Sequence, residues 1–168
     1  HPRVNILQPG PGVGGHCIAV DPWFIVASAP QDARLIAMAR TVNDTKPNWV
    51  IEKIKIAIAN ILIADPSKST SNLKIACYGL AFKSNIDDLR ESPALFIAEK
   101  VIDMRAGKVM LVEPNISDLP ESFDKTLLVD FGIAHSQADI HVLLTDHDQF
   151  LGRKPGSGQI IDTRGVWK

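Results

Sequence analysis

The chain has 168 residues, 45% of them apolar and 22% charged, with a net charge of −1 at pH 7. That length can bury a sizeable core, in one domain or one domain plus an appendage. Balanced charge and 6% aromatics exclude binding of nucleic acid or an anionic membrane by bulk electrostatics or base stacking.

In chain order, the first distinctive segment is Gly10-Pro11-Gly12-Val13-Gly14-Gly15-His16-Cys17-Ile18-Ala19-Val20-Asp21-Pro22. A thiol between a glycine-rich loop and a helix start lies near unpaired N–H groups and the positive end of a helix dipole, which favour the thiolate. Cys17 is therefore a candidate nucleophile, and a small buried hydrophobe is the alternative. Asp21-Pro22 reads as an N-cap and first helical proline leading into Trp23-Phe24-Ile25-Val26-Ala27. Gly10, Gly12 and Gly15 match the dinucleotide pattern G-x-G-x-x-G, but a helical region follows them where that fingerprint needs a helix, a second strand and an acidic residue.

From Gln31 to Ala64 apolar residues recur at helical spacing: Leu35, Ile36, Met38, Ala39 and Val42, then Trp49, Val50, Ile54, Ala57, Ile58, Ile61 and Leu62. Pro47 is expected to end or kink this helix. Alternation at Ile54, Ile56 and Ile58 also suits a strand, but length and alanine content favour helix. The run 54–64 is broken by Lys55 and Asn60 and is too short to span a bilayer. A helix apolar on so many faces needs a partner surface, which makes it a candidate dimer interface. The polar, breaker-rich segment 65–72 places a boundary between residues 1–64 and 72–168.

Beyond the boundary, strands alternate with helices. Strands are expected at 74–78, 108–112, 140–144 and 160–161, with a short one at 127–129, and helices at 93–105 and 131–137. This is an α/β pattern: a long helix followed by a Rossmann-like parallel sheet with helices on both faces, whose ligands bind beyond the strand carboxyl ends. The loop from Gly79 to Glu91 is long and dense in charge. Lys83 and Arg90 suit an anionic ligand, or ion pairs with Asp87 and Asp88. Arg164, in Asp162-Thr163-Arg164, adds a cation at the same sheet edge and tilts the balance toward the anion. His141, Asp146, His147 and Asp148 show no metal-ligand spacing, so no metal site is assigned. A cysteine hydrolase pairing Cys17 with His135, His141 or His147 lacks any local signature. Two cysteines without a Cys-x-x-Cys pattern fit a reducing cytoplasm.

Cys17 with Asp21, combined with Gly79-Leu80-Ala81-Phe82-Lys83 and Asp88-Leu89-Arg90-Glu91-Ser92-Pro93, resembles the UDP-sugar dehydrogenase family, NAD-dependent enzymes that oxidise a sugar nucleotide to its uronic acid. The likeness covers nearly the whole chain and the family's C-terminal half. The form Gly-Val-Gly-Gly-His-Cys-Ile-Ala-Val-Asp-Pro-Trp-Phe and the ending Gly165-Val166-Trp167 resemble the bacterial branch acting on UDP-N-acetyl-D-mannosamine. Glucose enzymes usually carry a basic residue where Val20 stands.

The resemblance implies that Cys17 is the nucleophile and that Asp21 positions or activates water. Gly14, Gly15, Phe82, Lys83 and Arg164 would hold the UDP-sugar, joined across a dimer by His1 and Arg3, and Arg90 would touch NAD. It also implies a homodimer through the central helix. The chain begins at His1 without methionine, and the family's NAD fingerprint and catalytic lysine lie upstream of the matching half. The expectation is a fragment of a larger protein, inactive alone. A non-catalytic nucleotide-binding or dimerisation module is the competing expectation.

Overall fold

The computed structural model describes residues 8–168. His1 and Arg3, both named above as substrate contacts, lie outside the described residues. Four parallel strands, β1 (Lys74–Tyr78), β2 (Lys108–Val112), β3 (Ile140–Leu143) and β4 (Gln159–Asp162), form one sheet in the order β2-β1-β3-β4. Among the described residues the α-helices are α1 (Asp21–Ser28), α2 (Arg34–Ala64), α3 (Pro93–Asp103) and α4 (Phe131–Gln137).

The strands read as nearly continuous apolar runs because both faces of the sheet are covered. Ile75, Cys77, Val109, Leu111, Ile140 and Val142 point to one face, where they pack with Ile54, Ile58, Ile97 and Val101 of α2 and α3. Ala76, Tyr78, Met110, Val112 and Leu143 point to the other, where α4 contributes Ala134 and the C-terminal segment Trp167. The two-residue period of a strand thus divides one sheet between two cores. Burial pushes the Cys77 thiol up to about 12, and both cysteines are unpaired.

Two local expectations need correction, and one of the two alternatives for Pro47 is excluded. Residues 127–129 form no strand: a single bridge joins Leu128 to Leu111, after a 3-10 turn at Lys125–Leu127. Asp21 is the first helical residue rather than the N-cap, which is Val20, and no side chain caps α1. Pro47 does not end α2, which runs through it for 31 residues. A proline frees the carbonyl four residues earlier. Here that is Asn43, whose carbonyl oxygen lies 3.5 Å from where a side chain on Gly12 would begin. The interrupted hydrogen bond thus falls where the glycine loop docks. By contrast, Ser92 caps α3 as expected, its hydroxyl accepting from the Leu95 N–H, with Pro93 next.

Among the described residues, one face of α2 is left uncovered. Leu35, Val42, Trp49, Ile56 and Ile63 recur every seven residues and are all more than half exposed, as is Met38. A seven-residue apolar repeat marks a seam for a second helix.

Ile97 is fully buried between α2 and the sheet. Ile97→Ala is expected to destabilise the fold by about 2–5 kcal/mol, read as a lowered urea midpoint with an unchanged slope.

Candidate functional site

The site assembles where the glycine loop meets the loop after β1. A parallel sheet opens a crevice where the strand order reverses, here between β1 and β3. The floor of this crevice is built by Glu113, just beyond β2. Its side chain is wholly buried, and one carboxylate oxygen accepts from Leu80 N–H at 2.7 Å, Ala81 N–H at 3.1 Å and His147 Nε2 at 2.9 Å. The other oxygen accepts from the Asn115 backbone and side-chain amides. Nδ1 of His147 in turn accepts from Asn85 N–H and Asn115 Nδ2, which fixes the ring proton on Nε2. Burial alone would raise the Glu113 carboxyl, but the His147 bond and the N–H donors outweigh it and hold it below the usual carboxylate range. His147 is therefore structural, with its ring spent on this network.

On that floor the loop from Gly79 to Glu91 is pinned throughout. Thr145 Oγ1 donates to the Ala81 carbonyl, Ser92 Oγ donates to the Leu80 carbonyl, and Phe82 N–H donates to the Asp88 carbonyl. Asn85 and Glu91 adopt left-handed backbone at φ 61° and 48°. Such conformations persist only where surrounding contacts hold them, and Asn85 is held at both ends: its N–H donates to His147 and its side-chain oxygen accepts from Asp148 N–H.

The glycine loop lies directly on this surface. A side chain on Gly14 would run into the Glu91 carbonyl and lie 2.7 Å from Pro93. One on Gly15, at φ +87°, would lie 2.8 Å from the Phe82 ring, and one on Gly10 would strike the Arg164 guanidinium. These glycines thus serve close approach between two parts of the chain. From the other side α2 grips the loop: the Asn43 side-chain oxygen accepts from Val13 N–H at 2.8 Å and its amide donates to the Val13 carbonyl at 3.2 Å. Arg40 of α2 donates to the Ile18 carbonyl and pairs with Asp44. Arg40, Asn43 and Glu113 carry no site assignment from sequence, and His147 is weighed there only as a metal ligand or hydrolase partner, not as the Glu113 partner it is. Asn43 and Glu113 carry no motif, and the loop residues they hold, Val13 and Leu80, lie 30 and 33 residues away.

Cys17 is exposed, with its sulfur 3.0 Å from His16 Nδ1. Its carbonyl accepts from the Val20 and Asp21 N–H groups, so the turn into α1 begins at the cysteine. Asp21 is exposed, one turn beyond. Arg90 closes a fork on Asp88, with Nε–Oδ1 at 2.9 Å and Nη2–Oδ2 at 2.5 Å. The guanidinium holds the Asp88 carboxyl down at about 2. The ion-pair reading of this loop is thus observed. Asp88 lies within electrostatic reach of His16, and Arg90 within reach of Cys17.

Arg164 sits at the β4 end, its Nε donating to Asp146 at 2.8 Å, and Asp146 also accepts from Ser84 Oγ at 2.7 Å. Burial would raise the Asp146 carboxyl, and these two donors hold it low. Lys83 is exposed on the same loop as Phe82 and Ser84. The structure therefore brings Gly14, Gly15, Cys17, Phe82 and Arg90 together, with Gly10 joining Arg164 to the cluster. Two clefts, of about 500 Å³ between α1, α2 and α3 and about 740 Å³ between β2 and α4, contain none of Cys17, Lys83 or Arg164.

Residues 76–168 match the UDP-binding domain of the UDP-glucose/GDP-mannose dehydrogenase family, and residues 1–45 match that family's central domain. The chain is 56% identical to the UDP-N-acetyl-D-mannosamine dehydrogenase of Salmonella typhi, over 100% of this chain and 41% of that protein. It is 52% identical to the NDP-N-acetyl-D-galactosaminuronic acid dehydrogenase of Ralstonia nicotianae, over 99% of this chain and 38% of that protein. Among solved structures, a UDP-N-acetyl-mannosamine dehydrogenase from S. aureus superposes with a TM-score of 0.75 at 35% identity, covering 100% of this chain and 38% of that one. The chain thus spans about two fifths of the length of these relatives.

Because the folded protein depresses the Glu113 carboxyl, its ionised form stabilises the fold. That contribution is complete above the unfolded value of about 4.3 and disappears as pH falls through the lower folded value. Glu113→Gln is expected to cost about 3 kcal/mol at pH 7. The difference from the parent should shrink below pH ~4, as followed by urea unfolding across pH.

Proposed function

We propose, for a chain that belongs to the UDP-glucose/GDP-mannose dehydrogenase family, that it supplies the cysteine loop, central helix and nucleotide-sugar-binding domain of a cytoplasmic UDP-N-acetyl-D-mannosamine 6-dehydrogenase. The observation that carries this reading is the packing of the Cys17 loop onto the segment Phe82–Pro93, through Gly15 on Phe82 and Gly14 on Glu91 and Pro93. That packing supports a nucleophile at Cys17 working against this loop, and the 56% identity to a dehydrogenase of that substrate supports the choice of sugar.

The nucleotide diphosphate lies along the β1 and β4 ends, with Phe82 as an apolar wall and Lys83 and Arg164 as cations. Arg164 comes already oriented by Asp146, which reduces the ordering required on binding. His1 and Arg3 of a second copy complete the sugar pocket. Once the C6 alcohol has become an aldehyde, Cys17 adds to it as a thiohemiacetal. A second oxidation makes the thioester, and water positioned by Asp21 releases the carboxylate.

NAD, when bound, accepts the hydrides. The glycine loop of this chain offers it no cradle, because the space beside its glycines is filled by Arg164, Pro93 and Phe82. Arg90, exposed and within electrostatic reach of Cys17, is the group whose charge suits a dinucleotide phosphate. The isolated chain is accordingly inactive. In a full-length dehydrogenase carrying this chain, Cys17→Ser is expected to lower NADH formation from UDP-N-acetyl-D-mannosamine by about a thousandfold or more. Undiminished turnover would favour the reading of a non-catalytic nucleotide-binding module.

The seven-residue stripe on α2 supports a homodimer with α2 at its centre. Val42→Glu with Ile56→Glu should convert the dimer to monomer in sedimentation velocity while leaving the helical circular dichroism intact.

A further inference from the structure

His16 is the residue beside the sulfur that neither the motif reading nor the family likeness assigned. Its Nδ1 lies 3.0 Å from Cys17 Sγ, and both side chains are exposed where a substrate could meet them. The other histidines are engaged elsewhere: His147 is buried on Glu113, His141 is buried with Nδ1 against the Tyr78 hydroxyl, and the His135 ring packs on Phe131. Among the described residues His16 is thus the imidazole within hydrogen-bond reach of the thiol.

We infer that His16 is the base that takes the Cys17 thiol proton as the sulfur adds to the sugar aldehyde. The inference rests on Cys17 being the nucleophile. With its ring proton on Nε2, His16 offers the Nδ1 lone pair to the S–H. The S–H bond breaks and its proton moves to Nδ1. The sulfur lone pair then forms the S–C6 bond, and the carbonyl π pair moves to oxygen. That oxygen takes the proton back from Nδ1 and gives the neutral thiohemiacetal. Nothing is oxidised or reduced in this step.

The surroundings suit the charge pair that forms in passing. The titratable groups that the loop after β1 brings to this pair are Asp88 and Arg90: the carboxylate couples to His16 and the guanidinium to Cys17. An imidazolium would therefore find a carboxylate in reach and a thiolate would find a cation, while Asp88 and Arg90 hold each other in place.

The test is the pH dependence of Cys17 alkylation by iodoacetamide, read by mass spectrometry on this chain. Buried Cys77 serves as the internal reference and Cys17→Ser as the blank. His16→Gln keeps a polar, exposed side chain, and a melting curve checks its fold. The expected result is that H16Q alkylates about tenfold more slowly than the parent at pH 6.5, because the thiol has lost the base within hydrogen-bond reach. Superimposable pH profiles for the parent and H16Q would overturn the inference. The readout needs no turnover, so it is separate from the fate of the nucleophile assignment, which the full-length Cys17→Ser variant decides.

Discussion

The Glu113 carboxylate, sealed at the end of β2, receives the N–H groups of Leu80 and Ala81, the first residues beyond the β1–Gly79 turn. In a dinucleotide-binding sheet the corresponding turn points its N–H groups at a phosphate. Here an internal anion occupies them, held by His147 on the same oxygen and by Asn115 on the other. The crevice is therefore closed at its floor, and the loop above forms a platform over it. The positions of Phe82, Lys83 and Arg90 all follow from where that platform starts.

The platform matters because a second, distant segment is fitted to it. A cysteine on a free loop would sample many positions, and ordering it on substrate binding would cost affinity. Instead the loop is clasped from both sides, by Glu91, Pro93 and Phe82 beneath it and by Asn43 and Arg40 from α2. Pro47 contributes indirectly, by leaving the Asn43 carbonyl free at the point where Gly12 arrives. What reads as a helix breaker is a docking notch.

Much of the architecture was legible because it is local. Apolar runs of four residues, each after a lysine, marked β1 and β2 at their observed bounds, and Ser92-Pro93 announced the start of α3. The error at 127–129 arose because three apolar residues cannot distinguish a strand from a 3-10 turn whose side chains reach the core. Of the site, the two loops were legible from their glycines and charges, and Arg90 was weighed both as an ion pair and as a phosphate contact. Glu113 and His147 were not, because a carboxylate and an imidazole 34 residues apart carry no pattern. A charged residue directly after a buried parallel strand was the available signal. His16 stood in plain view within the quoted motif, yet only the distance to sulfur gives it a role.

The glycine loop also limits how this segment can change over generations. Substitution at Gly14 is blocked by the Glu91 backbone and the Pro93 ring, and at Gly15 by a backbone at φ +87° that a side chain would strain. Insertion or deletion of one residue between Val13 and Cys17 would shift the thiol by roughly 3.5 Å along the chain. The Asn43 clasp on Val13 would stay fixed while the sulfur moved off station. Drift in this stretch is thus confined to outward-facing positions such as Ile18 and Phe24, while spacing itself is under the strictest constraint.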